Sequence, residues 1–260
     1  MSEEEVVLVE VEDGIMTVTL NRPKAKNATN RALAVAVAAA MDELDSNDDI
    51  RVAILTGAEG AFCAGYDLKA VAQGGARVIS KPTDEGPMGP TRMLLSKPVI
   101  AAVEGHAVAG GLELALWCDM RVASATAVFG VYCRRWGVPL IDGGTIRLPR
   151  LIGHSRALDM IMTGRGVGAE EALHFGLANR LVPAGQALEV ALELAHEIAK
   201  FPQLCMRADR TSSYEQWNLD LPHALINEAE GGEKPRTEEA QAGAARFAAG
   251  KGRGGDFSSI

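Results

Sequence analysis

The residue with the clearest chemical potential is Glu113, a carboxylic acid inside an apolar run. It follows the small-residue turn Ala109-Gly110-Gly111 within the stretch VIAAVEGHAVAGGLELALWCD, residues 99–119. This pattern indicates a buried strand, a glycine-rich corner and a buried helix. A carboxylate on a buried face has to be paired, hydrated or used. Glu113 is therefore a candidate catalytic residue, with a capped or solvated glutamate near a helix N-terminus as the alternative.

The corner before Glu113 predicts a place to hold developing negative charge. In the first turn of a helix, the backbone N–H groups lack partners within the helix, and the positive end of the helix dipole lies behind them. A second small-residue turn, Cys63-Ala64-Gly65-Tyr66-Asp67, follows another predicted strand. If adjacent strands bring the turns together, the amides of Tyr66 and Gly110 could converge on one oxygen. Such a pair of donors would stabilise the enolate of a thioester.

The elements that must position these turns alternate between strand and helix. Asp13-Gly14 joins two β-branched runs, 6–11 and 15–20, and predicts a hairpin. Further strands are predicted at 50–55, 99–103 and 181–183, and residues 121–125 and 127–129 together are predicted to form one more short strand. Helices are predicted at 31–44, 145–152, 155–163 and 188–200, with another opening at residue 169. The order of these elements predicts an α/β fold.

The last quarter of the chain differs from this core. Beyond Arg210 the pattern is helical and polar, with helices predicted at 228–233 and 238–249 and too little apolar surface for a separate core. We expect a core domain over residues 1–200 and a helical region over 201–260 that packs on the core or on a neighbouring subunit. The segment 70–93 is dense in glycine and proline, which predicts either a mobile cover or an ordinary exposed loop.

Composition excludes several classes of function. The 260 residues are 47% hydrophobic and carry a net charge of −8. Because no cluster of lysines and arginines occurs, a nucleic-acid partner is not expected. The acidic start and the lack of a long apolar run predict a cytoplasmic protein without a membrane partner. The four cysteines lie far apart, without the spacing of a zinc site, so we expect reduced thiols, mostly buried, and no metal.

Several motifs keep an order and spacing that resemble one known family. They are Asn21-Arg22-Pro23, the segment 62–68 (FCAGYDL), the segment 97–103 (KPVIAAV), residues 105–113 followed by Cys118-Asp119, and Gly143-Gly144-Thr145. Together they resemble the enoyl-CoA hydratase/isomerase, or crotonase, superfamily over nearly the whole chain. The resemblance implies a spiral core of ββα turns and a helical C-terminal trimerisation region. It also implies a homotrimer or homohexamer.

The same resemblance implies an acyl-CoA substrate and no prosthetic group. It places the thioester carbonyl between the amides of Tyr66 and Gly110. Coenzyme A is then the non-reacting part of the substrate, and the positions that the family uses to bind it are Lys24, Lys26, Ala64, Gly65, Asp67, Leu68, Phe247 and Lys251. The last two would approach the adenine and phosphates from a neighbouring subunit.

One departure from the family bears directly on the chemistry. Hydratases of this family use two glutamates, and Glu113 matches the first. The second is expected shortly after Phe129-Gly130, where this chain has Cys133. Cys133 is either a small packing residue or a thiol acid whose pKa is lowered by Arg134 and Arg135. Asp142 is the other candidate proton carrier, with a turn residue that accepts backbone N–H groups as the alternative.

The sequence thus predicts an enoyl-CoA hydratase/isomerase-like enzyme of the lyase or isomerase type. Losing one general acid or base costs about 10²- to 10⁴-fold, so hydration would be slow unless Asp142 or Cys133 substitutes. Isomerisation, decarboxylation and thioester hydrolysis need only the oxyanion hole and one proton carrier. Those reactions, or acyl-CoA binding without catalysis, are the alternatives.

Overall fold

The computed structural model describes residues 5–74, 81 and 85–257. These residues divide into two compact units, Met1–Ala195 and His196–Ile260. Part of the predicted cover, residues 75–80 and 82–84, lies outside the described residues. The division falls within the helix that the sequence predicts at 188–200.

The described residues of the first unit form two β-sheets. Its strands are β1 (Val7–Glu12), β2 (Ile15–Leu20), β3 (Val52–Gly57), β4 (Val99–Val103), β5 (His106–Val108), β6 (Met120–Ser124), β7 (Val128–Gly130), β8 (Gly166–Gly168) and β9 (Arg180–Val182). One sheet has six strands in the order β1-β2-β3-β4-β6-β9, and the other has three in the order β5-β7-β8. Antiparallel pairing joins β1 to β2 and β7 to β8, and all other neighbours are parallel.

Helices follow most of these strands. They are α1 (Arg31–Ser46), α2 (Leu68–Ala72), α3 (Gly110–Trp117), α4 (Gly144–Ile152), α5 (His154–Thr163), α6 (Ala169–Phe175) and α7 (Ala187–Lys200), the last crossing the boundary between the units. The side chain of Asn30 caps α1 by accepting a hydrogen bond from Leu33 N at 3.0 Å. The parallel strands with their intervening helices confirm the predicted α/β class.

The centre of the first unit is apolar because β4 and α3 are buried along their whole lengths. Parallel strands that are covered on both faces have continuous apolar sequences, and residues 99–103 have such a sequence. Three of the four cysteines, Cys63, Cys118 and Cys133, are buried free thiols, and Cys205 is an exposed one.

The second unit is helical. Beyond the end of α7 it contains α8 (Gln203–Glu215), α9 (Leu221–Gly231), α10 (Glu233–Glu238) and α11 (Ala240–Ala248). Helices α8, α9 and α11 bury no residue completely, which agrees with the low apolar content of this part of the sequence. Its role in assembly remains a prediction. Within the described residues, no helix combines the length and apolar character needed to cross a membrane.

Two of the differences from the sequence predictions bear on the candidate site. The run 121–129 forms two strands that belong to different sheets, β6 and β7, because the chain turns at residues 125–126. The glycine-rich corner before α3 contains an additional strand, β5. At three residues, β5 is too short for the sequence pattern to predict it. This short strand matters because it carries the corner into contact with the loop after β3.

Candidate active site

Glu113 is enclosed by backbone donors from a distant loop. Its side chain is 2% exposed, in the first turn of α3. Glu113 Oε1 accepts hydrogen bonds from the backbone N–H groups of Asp142, at 2.9 Å, and Gly144, at 2.8 Å. A Cβ at Gly144 would lie 2.9 Å from Oε1, closer than side-chain carbons approach. The glycine at 144 therefore lets the loop before α4 close on the carboxylate.

The electrostatic environment makes Glu113 a weaker acid than an ordinary glutamate. Burial, followed by the nearby charge of Asp142, raises the pKa of Glu113 to about 7. The two backbone hydrogen bonds and the charge of Arg147 act in the opposite direction and only partly offset it. A carboxyl with a pKa near neutrality can both accept and return a proton.

The two small-residue turns lie against each other, as the sequence predicts. Cys63 N donates to His106 O at 2.8 Å, and Val108 N donates to Cys63 O at 3.0 Å. A Cβ at Gly65 would lie 2.8 Å from Ala109 Cβ and 3.0 Å from Gly110 N. Only a residue without a side chain permits this approach, and Gly65 has the positive φ, 97°, that glycine tolerates.

The backbone around Tyr66 is held by a parallel bridge to Thr29. Thr29 N donates to Gly65 O at 2.8 Å, and Asp67 N donates to Thr29 O at 2.9 Å. In this pattern the amide of Tyr66 lies on the side of the chain opposite Thr29. Gly110 is the first residue of α3, where N–H groups have no partner within the helix.

Asp142 is buried beside Glu113, in the loop that precedes α4. Its Oδ1 accepts hydrogen bonds from Met88 N, at 3.2 Å, and from the hydroxyl of Thr91. Burial raises the pKa of Asp142, and these two hydrogen bonds partly offset the increase. Asp142 thus makes two sets of contacts. Its backbone N–H donates to Glu113, and its carboxylate accepts hydrogen bonds from Met88 and Thr91.

Cys133 lies in a short 3-10 helix, Tyr132–Trp136, and is buried. Burial and the charge of Glu113 raise the pKa of its thiol above the ordinary value, and Arg134 lowers it only in part. Arg134 lowers this pKa, as one of the two alternatives expects, but desolvation outweighs it, so the net shift favours the alternative of a packing residue. Arg134 Nε donates to Ile161 O at 3.0 Å, and the Arg135 guanidinium lies 4.5 Å from the centre of the Tyr132 ring.

The predicted coenzyme A residues of the first unit cluster at the loop after β3. Lys24 and Lys26 are exposed, and Ala64 N donates to Lys26 O at 3.0 Å. Asp67 caps α2, which begins at Leu68, by accepting from Lys69 N at 3.0 Å, and it forms an ion pair with Arg22 at 3.1 Å.

The other two predicted coenzyme A residues, Phe247 and Lys251, are exposed in the second unit. The guanidinium of Arg253 lies 5.6 Å from the centre of the Phe247 ring. The second unit also has a cavity of about 370 Å³, lined by Lys200, Phe201, Pro202, Glu238, Glu239, Ala242 and Arg246. It contains none of the predicted site residues.

The sequence did not identify three residues that border Glu113 and Gly110. A Cβ at Gly110 would lie 2.5 Å from Met88 Sδ, so the Met88 side chain covers the start of α3. Thr91 and Arg147 complete a set of hydrogen bonds around Asp142. No local pattern connects residues 88–91 with 142–147, because the contacts join segments about fifty positions apart.

The fold and the buried glutamate beside a glycine-rich corner define a crotonase-type α/β protein. The family model described as enoyl-CoA hydratase/isomerase matches residues 10–251. The chain therefore belongs to the enoyl-CoA hydratase/isomerase family, which confirms the resemblance seen in the sequence.

Individual relatives agree with this assignment. Enoyl-CoA hydratase EchA19 of Mycobacterium tuberculosis is 42% identical over 211 residues, covering 77% of each chain. Carnitinyl-CoA dehydratase of Salmonella typhi is 40% identical over 199 residues, covering 75% of this chain and 74% of that protein. The crystal structure of enoyl-CoA hydratase EchA1 from Mycobacterium marinum matches with a TM-score of 0.89 at 40% identity, covering 95% of this chain and 96% of the other.

Proposed function

We propose that the protein adds water reversibly to a 2-enoyl-CoA thioester through an enolate, with Glu113 as the one carboxylate that moves the proton. The observation that carries this proposal is the buried Glu113 carboxylate, held by two backbone N–H groups with its pKa raised to about 7, one turn beyond Gly110. The names of the similar proteins, a hydratase and a dehydratase of CoA thioesters, support the substrate class and the reaction.

The thioester oxygen would be held by the amides of Tyr66 and Gly110. The contact of Gly65 with Ala109 and Gly110 supports this arrangement, because it places the two turns that carry these donors directly against each other. Charge that develops on this oxygen when the enolate forms would be stabilised by fixed backbone dipoles. The acyl-CoA would enter along the loop of Ala64 to Leu68, with Lys24 and Lys26 near its phosphates.

The proton then has one carrier. Glu113 takes a proton from water as the oxygen of that water bonds to the β-carbon, and the electron pair of the double bond moves onto the thioester as an enolate. Glu113 returns the same proton to the α-carbon, which restores the thioester and the carboxylate. A single group can perform both transfers when its pKa lies near the working pH.

The other two candidate carriers are less suited to this role. The thiol of Cys133 stands where the family pattern has its second glutamate, and its raised pKa makes it a poor acid at neutral pH. The Oδ1 of Asp142 already accepts two hydrogen bonds. The absence of a second carboxylate at position 133 also favours a second candidate reaction, isomerisation of a 3-enoyl-CoA, which needs the same proton shuttle and no water.

Hydration of crotonyl-CoA, followed as loss of the conjugated thioester absorbance, tests the proposal. Glu113→Gln keeps the shape and is expected to lower kcat by about 10²- to 10⁴-fold. Cys133→Ala, the matched change at the second position, is expected to lower it less than about 10-fold, because a thiol of raised pKa contributes little. Unchanged turnover in Glu113→Gln would refute the assignment. Conversion of a 3-enoyl-CoA without any hydration of crotonyl-CoA would establish the isomerase instead.

A further inference from the structure

A set of buried polar contacts joins the segment 86–92 to the loop and helix at 142–147, and the mechanism above does not use it. Asp142 is 3% exposed and Thr91 is 1% exposed. Asp142 Oδ1 accepts from the Thr91 hydroxyl and from Met88 N. Buried hydrogen bonds to a carboxylate are among the stronger ones in proteins, so this contact fixes the segment firmly.

Arg147 closes the same contact from the other side. Its Nη1 donates to Asp142 O at 3.0 Å, and its Nη2 donates to Thr91 O at 2.8 Å. One guanidinium thus bridges the two segments that the carboxylate also bridges. We refer to Thr91, Asp142 and Arg147 as the polar clamp.

Both ends of the polar clamp reach the reacting groups. Through its backbone N–H, Asp142 holds Glu113 Oε1 at 2.9 Å. Through its carboxylate, it holds the backbone of Met88, whose side chain covers Gly110. Asp142 therefore contacts both Glu113 and the residue whose side chain covers Gly110.

The packing at Gly86 shows how closely the segment fits. A Cβ at Gly86 would overlap both Asp142 Oδ1 and Thr91 Oγ1. Gly86 also pairs with Gly89 in a short bridge, which folds the segment into a turn around the carboxylate. The segment is built to receive the Asp142 side chain rather than merely to lie near it.

We propose that Asp142 is a positioning residue, which sets where Glu113 and Met88 stand relative to Gly110 and does not itself carry the proton. This inference rests on the proposed role of Glu113. Met88 then forms one wall of the acyl site next to the thioester.

The charge of Asp142 adds an electrostatic part to this role. The charged and titratable groups that act on Glu113 or are acted on by it are Asp142, Arg147 and Cys133. Of these, Asp142 favours the protonated form of Glu113 and Arg147 opposes it. Removing the charge of Asp142 while keeping its hydrogen bonds should therefore make Glu113 a stronger acid.

Two variants separate the possible roles of Asp142. Asp142→Asn keeps an oxygen acceptor for Met88 N and Thr91, and is expected to keep kcat within about 10-fold. In the profile of kcat against pH, the limb that reports the ionisation of Glu113, called the pH limb below, is expected to move to lower pH. Thr91→Val removes one clamp hydrogen bond without changing shape, and is expected to lower kcat by about 10-fold, since small displacements of reacting groups cost up to about 100-fold. Thr56→Val is the matched control, because Thr56 is also buried and donates to Ala102 O at 3.1 Å.

A readout that does not depend on activity keeps this test separate from that of the proposed function. Amide hydrogen exchange over residues 86–92 is expected to accelerate in Thr91→Val and to stay unchanged in Thr56→Val, whatever Glu113 does. If Asp142→Asn loses as much activity as Glu113→Gln, Asp142 is a proton carrier and the inference fails. If Thr91→Val lowers Tm or accelerates exchange over residues 86–92 but leaves kcat and the pH limb as unchanged as Thr56→Val does, the clamp is only structural and the inference also fails.

Discussion

The two sides of the candidate site are held by different kinds of interaction. On the side of Gly110, backbone hydrogen bonds between Cys63, His106 and Val108 bring two turns together, and Gly65 allows their contact. On the side of Glu113, two backbone N–H groups hold the carboxylate, and buried side chains fix the loop that supplies these donors. Those side chains belong to Thr91, Asp142 and Arg147. We call these the backbone side and the side-chain side of the site.

The difference separates what the fold provides from what individual residues decide. The backbone side depends on strand pairing and on the absence of Cβ atoms, so most side-chain changes leave it intact. On the side-chain side, one changed residue alters the charge around Glu113 and hence its acidity. We infer that an enolate-stabilising corner comes with this fold, and that the identity of the proton carrier is chosen by a few side chains.

After the loss expected for Glu113→Gln, the next largest expected effect tests the backbone side. Gly65→Ala would place a methyl 2.8 Å from Ala109 Cβ and 3.0 Å from Gly110 N. We expect the displaced donors to lower kcat by about 10²- to 10³-fold. The left-handed backbone at position 65 should add a loss of stability of about 1–2 kcal/mol. Steady-state kinetics and thermal unfolding of the purified variant measure both effects.

Gly60→Ala is the control for backbone strain in this comparison. Gly60 has a φ of 72°, and a Cβ there would meet nothing within 4 Å. This variant should lose similar stability from its left-handed backbone and keep its activity. Equal losses of activity in the two variants would show that strain, and not the contact with Gly110, explains the result.

The sequence predicts the backbone side better than the side-chain side, and the reason is physical. Glycines and β-branched runs are local signals, so the turns at Gly65 and Gly110 and the helix that carries Glu113 can be found without knowing the fold. Their contact is made through β5, the short strand that the sequence does not predict.

The polar clamp has no such signal. Thr91 looks like one more polar residue in a glycine- and proline-rich segment, and Asp142 looks like an ordinary Asp-Gly turn. Their contact joins two segments about fifty positions apart, which local propensity does not determine. The sequence leaves the two alternatives for Cys133 open for a related reason, because burial cannot be weighed against the charge of Arg134 before the fold is known.

A smaller effect on stability tests the side-chain side. Burial and Asp142 raise the pKa of Glu113 from 4.5 to about 7, so the folded state binds more protons than the unfolded state between these values. The free energy of unfolding therefore falls as pH rises through this window. Glu113→Gln removes the cost of ionising a buried carboxyl. Relative to the native protein, it should therefore gain stability between pH 5 and pH 8, by at most about 3 kcal/mol.

Urea unfolding at several pH values measures this difference. Glu12→Gln, an exposed change at the end of β1, is the control for the loss of one negative charge. The variant that loses activity would then be the more stable one at high pH. If the free energies of unfolding of Glu113→Gln and of the native protein change in parallel with pH across this window, folding does not raise the pKa of Glu113.

The smallest expected effect concerns Asp67, the carboxylate on the backbone side. Burial is the largest single influence on its pKa and raises it, but the hydrogen bonds from Arg22 and Lys69 N and the charges of Arg22 and Lys69 together outweigh burial and lower the pKa overall. The sign is therefore opposite to that of Glu113: this stabilisation is present above the ordinary pKa of an aspartate and is lost as pH falls.

Asp67→Asn keeps the cap of α2, because asparagine caps helices about as well as aspartate. The loss of the ion pair with Arg22 should cost less than about 1 kcal/mol near neutral pH, since the pair is partly exposed. The cost should shrink both in high salt and below pH 4. The partners of Asp67 stabilise its charged form, whereas burial destabilises the charged form of Glu113. If the stability change in Asp67→Asn depends on pH with the same sign as that in Glu113→Gln, the contrast between the two sides is wrong.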